Sequence, residues 1–133
     1  MAQIVIDASV VLAVTLGTVA RPALIEDAKG SELLAAAALP WQVGSGLSVL
    51  MGRGRVSVAE ATQAVAASRQ IAVRLVEVDR GEALALAGRL GISAYDAYSV
   101  TCARRAHCPL LTLDAELAKV ARAEGIPVME APS

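Results

Sequence analysis

Short aliphatic or β-branched runs alternate along this chain with longer stretches whose apolar positions recur at helical spacing. Gln3-Ile4-Val5-Ile6-Asp7 predicts a buried strand, and Ala8 to Leu16 a short helix stopped by Gly17. Pro22 suits the first turn of a second helix, which runs to about Ala28 and is closed by Lys29-Gly30. Glu32 to Ala37 predicts a second strand, weakened by its alanines. Pro40 precedes a helix from about Trp41 to Met51, ended by the Gly52-Arg53-Gly54-Arg55 turn. Ser57 and Glu60 have the spacing of a capping box and open a helix to about Arg69.

The same alternation continues. Ile71 to Val78 predicts a third strand, Gly81 to Leu90 a helix capped by Gly91, and Ser93 opens a helix to about His107. Pro109 to Leu113 reads as a strand, Ala115 to Glu124 as a helix stopped by Gly125, and Ile126 to Met129 as a last strand. Strands interleaved with helices throughout predict an α/β fold around a parallel sheet. No internal repeat or linker interrupts the pattern, so a single domain over residues 1–133 is expected.

Composition narrows the classes of function. Hydrophobic residues make up 56% of the chain, which excludes a disordered protein. With no Phe, one Trp and two Tyr, an aromatic stacking platform of the kind found on RNA-binding sheets is not expected. A net charge of -1 argues against a protein that coats DNA, although a local cleft can be basic on a neutral protein. Cys102 and Cys108 have the wrong spacing for a zinc knuckle or a redox pair and are expected to be reduced core thiols of a cytoplasmic protein. The start of the chain lacks a basic region, and Asp7 interrupts its apolar run, so no signal peptide is expected. Leu33 to Gly52 carries no charge, but Pro40, Gln42, Gly44 and Gly46 keep it from reading as a membrane span.

The candidate chemistry lies in the placement of acids. Asp7 and Asp114 each follow a strand, and Asp96 falls in the first turn of the helix before the Asp114 strand. In a parallel sheet with right-handed crossovers, strand ends and the starts of the following helices share one edge, where α/β proteins place their sites. Singly, Asp7 and Asp114 also suit helix N-caps, and Asp96 suits the acidic half of a capping box with Ser93. Together they point elsewhere, because three carboxylates at about 5 Å repel by roughly 3 kcal/mol per pair at an effective dielectric near 20. A cation offsets that repulsion. Oxygen-only ligation selects Mg²⁺ or Mn²⁺, ions suited to phosphodiester hydrolysis.

Four segments, Ile4-Val5-Ile6-Asp7-Ala8-Ser9-Val10, Leu39-Pro40-Trp41-Gln42-Val43, Ala94-Tyr95-Asp96-Ala97-Tyr98 and Leu111-Thr112-Leu113-Asp114, resemble in order and spacing the motifs of PIN-domain VapC toxins. The resemblance runs from Ile4 to Val128. It implies a three-layer α/β/α fold with a mainly parallel central sheet and a Mg²⁺- or Mn²⁺-dependent endoribonuclease. It further implies a toxin–antitoxin pair with a VapB-type antitoxin, and a homodimer. Asp7, Asp96 and Asp114 then correspond to the metal-binding acids, Ser9 to a polar neighbour of the first, and Thr112 to a hydroxyl supporting Asp114. Gln42 departs from the pattern, since the family places a glutamate there. Glutamine offers a carbonyl oxygen but neither charge nor a proton-accepting group, so reduced or absent activity is expected.

Arg53, Arg55 and Arg104 are candidate contacts for RNA phosphates. His107, the only histidine, precedes a strand that leads away from it and is not expected to be catalytic. Two rival readings stand beside the nuclease. Asp7 as a nucleophile would make an aspartyl-phosphate phosphotransfer domain, although that chemistry wants a further aspartate where Ser9 stands. Alternatively, Gln42 marks a catalytically inactive module that binds an antitoxin or RNA.

Overall fold

A computed structural model describes residues 2–130. Every expected element is present. The order is β1 (Gln3–Ile6), α1 (Ala8–Leu16), α2 (Arg21–Ala28), β2 (Glu32–Ala36), α3 (Leu39–Gly52), α4 (Val58–Ser68), β3 (Val73–Val76), α5 (Arg80–Leu90), α6 (Ala94–Ala106), β4 (Leu110–Thr112), α7 (Ala115–Ala123) and β5 (Val128–Glu130). The strands form one sheet in the order β3-β2-β1-β4-β5, and every pairing is parallel.

Burial on both faces explains why the central strands are almost wholly apolar. Ile4, Ile6, Ala35 and Leu111 face a core shared with α1 to α4, whereas Val5, Leu34, Ala36 and Leu110 face one shared with α5, α6 and α7. The molecule is therefore a three-layer α/β/α fold. The alanines that weaken β2 as a strand from sequence are an advantage in place. Ala35 and Ala36 lie next to the central strand, buried, where small side chains admit helices on either side. Gly46 plays the same part between α3 and α1: a Cβ there would stand 2.8 Å from a terminal carbon of Leu12.

Local signals act as physical chemistry dictates. The Ser57–Glu60 capping box forms, with both reciprocal bonds present. Gly91 ends α5 in the left-handed conformation at φ 67°. The uncharged stretch from Leu33 to Gly52 divides into β2 and α3, and no helix of the described residues is long and apolar enough to cross a membrane. Boundaries differ at several places, β5 among them, which spans Val128–Glu130 rather than starting at Ile126. Helix α3 begins at Leu39, because Pro40 fits inside a first turn, where its missing N–H has no helical partner to lose. β3 spans four residues rather than eight, as expected of an edge strand, and β4 three. Cys102 and Cys108 are buried free thiols, and burial pushes Cys102 up to about 11, so it stays protonated.

Candidate active site

The β1–β4 register pairs Ile6 with Leu111, so one residue further on Asp7 and Thr112 stand side by side. Ser9 reaches the same point because α1 starts directly after Asp7. Although Asp7 occupies the N-cap position of α1, its side chain makes no capping bond. Its Oδ1 accepts from Ser9 Oγ at 2.6 Å and its Oδ2 from Thr112 Oγ1 at 2.7 Å. Each hydroxyl also accepts a backbone N–H, from Leu113 onto Ser9 Oγ at 2.9 Å and from Asp114 onto Thr112 Oγ1 at 3.0 Å. A hydroxyl carries one proton, so both protons here are aimed at Asp7. The 3.2 Å approach of the two hydroxyl oxygens needs none.

Asp7 is 3% exposed, and no arginine or lysine pairs with it among the described residues. Burial raises its carboxyl above the ordinary range, the charge of Asp114 adds to that rise, and the Ser9 and Thr112 hydroxyls draw it back. Asp96, half-buried at the start of α6, is raised first by burial and then by the charges of Asp114 and Asp7. The charge of Asp114 thus reaches both Asp7 and Asp96 at the C-terminal edge of the sheet, and that of Asp7 reaches Asp96.

They do not close into a metal shell. Among the described residues, no group of three or more acidic, histidine or cysteine side chains is arranged to hold a metal ion. The N-cap reading of Asp114 explains part of this: the residue is exposed, and its Oδ1 accepts from Glu116 N at 3.0 Å and Leu117 N at 3.1 Å, tying the carboxylate to the start of α7. Mutual repulsion works in the same direction. Thr112 also acts otherwise than expected, for its hydroxyl supports Asp7 directly and meets only the backbone of Asp114. At α6 the cap is Ser93 Oγ, which accepts the Asp96 N–H at 3.1 Å. The donor chemistry nevertheless suits a hard divalent cation, being all carboxylate with one member buried and lacking a basic partner.

Gln42 lines a narrow cleft with Ile6, Tyr95, Tyr98 and Ser99, residues that flank Asp7 and Asp96 in sequence. The tyrosines meet edge to face, with ring centroids 6.2 Å apart and planes at 82°. The placement of acids along the chain does not single these tyrosines out, although Tyr95 adjoins Asp96 and Tyr98 lies two positions beyond it. Arg53 and Arg55 are exposed in the turn after α3, and eleven residues of helix at about 1.5 Å each set Arg53 on the order of 16 Å from Gln42 along the axis. Arg104 is engaged elsewhere: toward the far end of α6, its guanidinium binds Glu124 Oε1 at 2.8 Å, the same oxygen that Arg89 binds at 2.7 Å. A phosphate contact from Arg104 at the acidic mouth therefore does not fit. His107 is exposed and caps the far end of α6 at φ 53°.

Comparison with known proteins agrees with this architecture. The family profile of the PIN domain matches residues 4–123. No curated protein sequence is a significant match. Among solved structures, PAE2754 from Pyrobaculum aerophilum superposes with a TM-score of 0.69 at 22% identity, over 96% of this chain and 83% of that one. VapBC2 from Rickettsia felis, crystallised with a DNA fragment from its promoter, gives 0.67 at 10% identity over 98% and 99%. VapC20 from Mycobacterium tuberculosis, a Sarcin-Ricin loop cleaving toxin, gives 0.66 at 18% identity over 97% and 99%. These identities carry the fold, and the profile match spans most of the sequence: the chain belongs to the PIN domain family.

Proposed function

We propose that this protein is a VapC-type endoribonuclease whose activity depends on Mg²⁺ or Mn²⁺ and is weakened by Gln42. The observation that carries the reading is Asp7, a buried carboxylate with raised proton affinity, held by two hydroxyls, beside two further aspartates and without a cationic partner. Such a group is costly unless a cation joins it. Asp7, Asp96 and Asp114 would hold the ion, which when bound lowers the proton affinity of a water and offsets charge on phosphoryl oxygens. Ser9 and Thr112 fix the orientation of Asp7. Gln42 presents an uncharged amide and accepts no proton near neutral pH, so it leaves the acids one charge short.

An antitoxin of the VapB type would dock in the apolar groove between α1 and α2, lined by Val10, Val14, Leu24 and Ile25. A homodimer is the second expected association, through exposed apolar side chains near the α3–α4 turn such as Val49, Met51 and Val58. The inactive-module reading keeps one supporting observation, the lack of a closed acidic cluster among the described residues.

Cleavage of a single-stranded RNA by the wild type and by Gln42→Glu, run side by side in Mn²⁺ and in chelator, tests the proposal. The variant is expected to cleave at least about tenfold faster, only with metal. Absence of metal-dependent cleavage from both proteins would leave the binding module as the better account.

A further inference from the structure

This inference rests on the nuclease reading and names a further residue of the same site. Ser99 follows Asp96 by three positions on α6, so the two are neighbours on one face of that helix. Ser99 is 4% exposed and lines the narrow cleft that also holds Gln42 and Ile6, the residue before Asp7. Hydroxyls inside helices ordinarily turn back to a carbonyl three or four positions earlier. Thr15, Thr62 and Ser68 do so, onto Val11, Ala59 and Val65 at 2.8, 3.0 and 2.6 Å. Ser99 does not. Among the described residues its hydroxyl has no hydrogen-bond partner, whereas Asp7 and Thr112, buried to the same degree, bond to each other. Its oxygen is not sealed into the core, as the Thr101 hydroxyl is, but opens on the cleft.

The side-chain amide of Gln42 shares this condition. It too lacks a hydrogen-bond partner among the described residues, and the cleft is too narrow to seat a water molecule between the two groups. The remaining walls are apolar side chains and the rings of Tyr95 and Tyr98, which already meet edge to face. Two unpaired polar groups in one small space lose their desolvation penalty by meeting. Their chemistry matches as well. A hydroxyl both donates and accepts, as a carboxamide does, and toward a carboxylate at position 42 it would donate.

We propose that Ser99 is a positioning residue: its hydroxyl bonds the side chain at position 42 and holds that side chain's oxygen toward the acids. The uncharged Gln42 is thereby kept in place, and a glutamate there would be held in the same way. The chain has four glutamines and no asparagine, so its side-chain amides give only four pairs of NMR signals. Gln42→Glu assigns the Gln42 pair by deleting it. In Ser99→Ala that pair alone should shift, and its exchange with water should quicken by about fivefold. The pairs of Gln3, Gln63 and Gln70 should stay in place and report an intact fold. In the Gln42→Glu protein, Ser99→Ala should also lower the single-turnover rate of Mn²⁺-dependent cleavage by about fivefold.

A Gln42 pair unchanged by Ser99→Ala would overturn the proposal. Equal movement of all four pairs would do so too, since it would make Ser99 a packing residue and nothing more. An unchanged rate in a Gln42→Glu protein that cleaves RNA would have the same force. The amide signals need neither metal nor RNA, so if no form cleaves, the nuclease reading falls while the NMR comparison still decides the contact.

Discussion

Two clusters of charged side chains, at opposite ends of α6 and α7, handle electrostatics in opposite ways. Away from the acids, Glu124 receives both Arg89 and Arg104 on one oxygen, and those hydrogen bonds hold its carboxyl below the ordinary range. At the sheet edge, Asp7 and Asp96 share a neighbourhood with Asp114, and burial with like charge raises both. The first cluster is complete as folded. The second is assembled from groups that would each be more comfortable apart, and it stays assembled because the sheet register and two hydroxyls hold Asp7 there. A protein keeps such an arrangement where something arrives to complete it.

The largest expected effect breaks the unpaired cluster. In the Gln42→Glu background, Asp96→Asn should lower Mn²⁺-dependent RNA cleavage by on the order of 100-fold or more, since it would remove a charge from around the proposed ion. Retention of the parent rate in single-turnover assays would take Asp96 out of the site. Next in size is a gain of stability. Asp7→Asn should raise Tm at neutral pH by several degrees, because it removes a buried charge while leaving groups for Ser9 and Thr112 to bond.

The sign of the pH dependence follows from the raised proton affinity of Asp7 and Asp96. Protonation is easier in the folded state, so their contribution to stability is whole below the ordinary aspartate range of about 3.9 and is lost as pH rises through the raised folded values. The Tm difference between Asp7→Asn and wild type should therefore be small in acid and widen toward neutrality. Added Mn²⁺ should narrow it by stabilising only the wild type. A difference that stays constant across pH would mean that Asp7 titrates as it does in the unfolded chain.

The smallest effect belongs to the complete cluster. Glu124→Gln should lower Tm slightly, with the loss shrinking further in high salt, since the Arg89 and Arg104 side chains are 59% and 40% exposed. Thermal melts at two ionic strengths measure it. A fall as large as the Asp7→Asn gain would mean that the paired cluster matters more to the fold than its exposure implies.

Much of this was legible in the order of residues. Apolar runs separated by capped amphipathic segments specify an α/β fold, and in such a fold Asp7, Asp96 and Asp114 can hardly avoid the same edge. What a carboxylate does on arrival is harder to read. Asp7 and Asp114 both precede helices, yet only Asp114 caps one, because Ser9 and Thr112 claim both oxygens of Asp7. That choice depends on a pairing of β1 with β4 across more than a hundred residues, which local spacing does not encode. Arg104 shows the same gap: its partner lies twenty positions away on another element. Element ends slipped where two signals competed, as at Pro40, which fits a helix's first turn as readily as the residue before it.

The clamp that Ser9 and Thr112 close on Asp7 has a bearing on the birth of the molecule. Ser9 and Thr112 lie 103 positions apart, so the two halves of the clamp leave the ribosome well separated in time. Until the strand bearing Thr112 slides in beside the first, Asp7 has no clamp, and no partial product carries a finished mouth. A chain whose synthesis stops short of β4 therefore leaves Asp7 held by Ser9 alone.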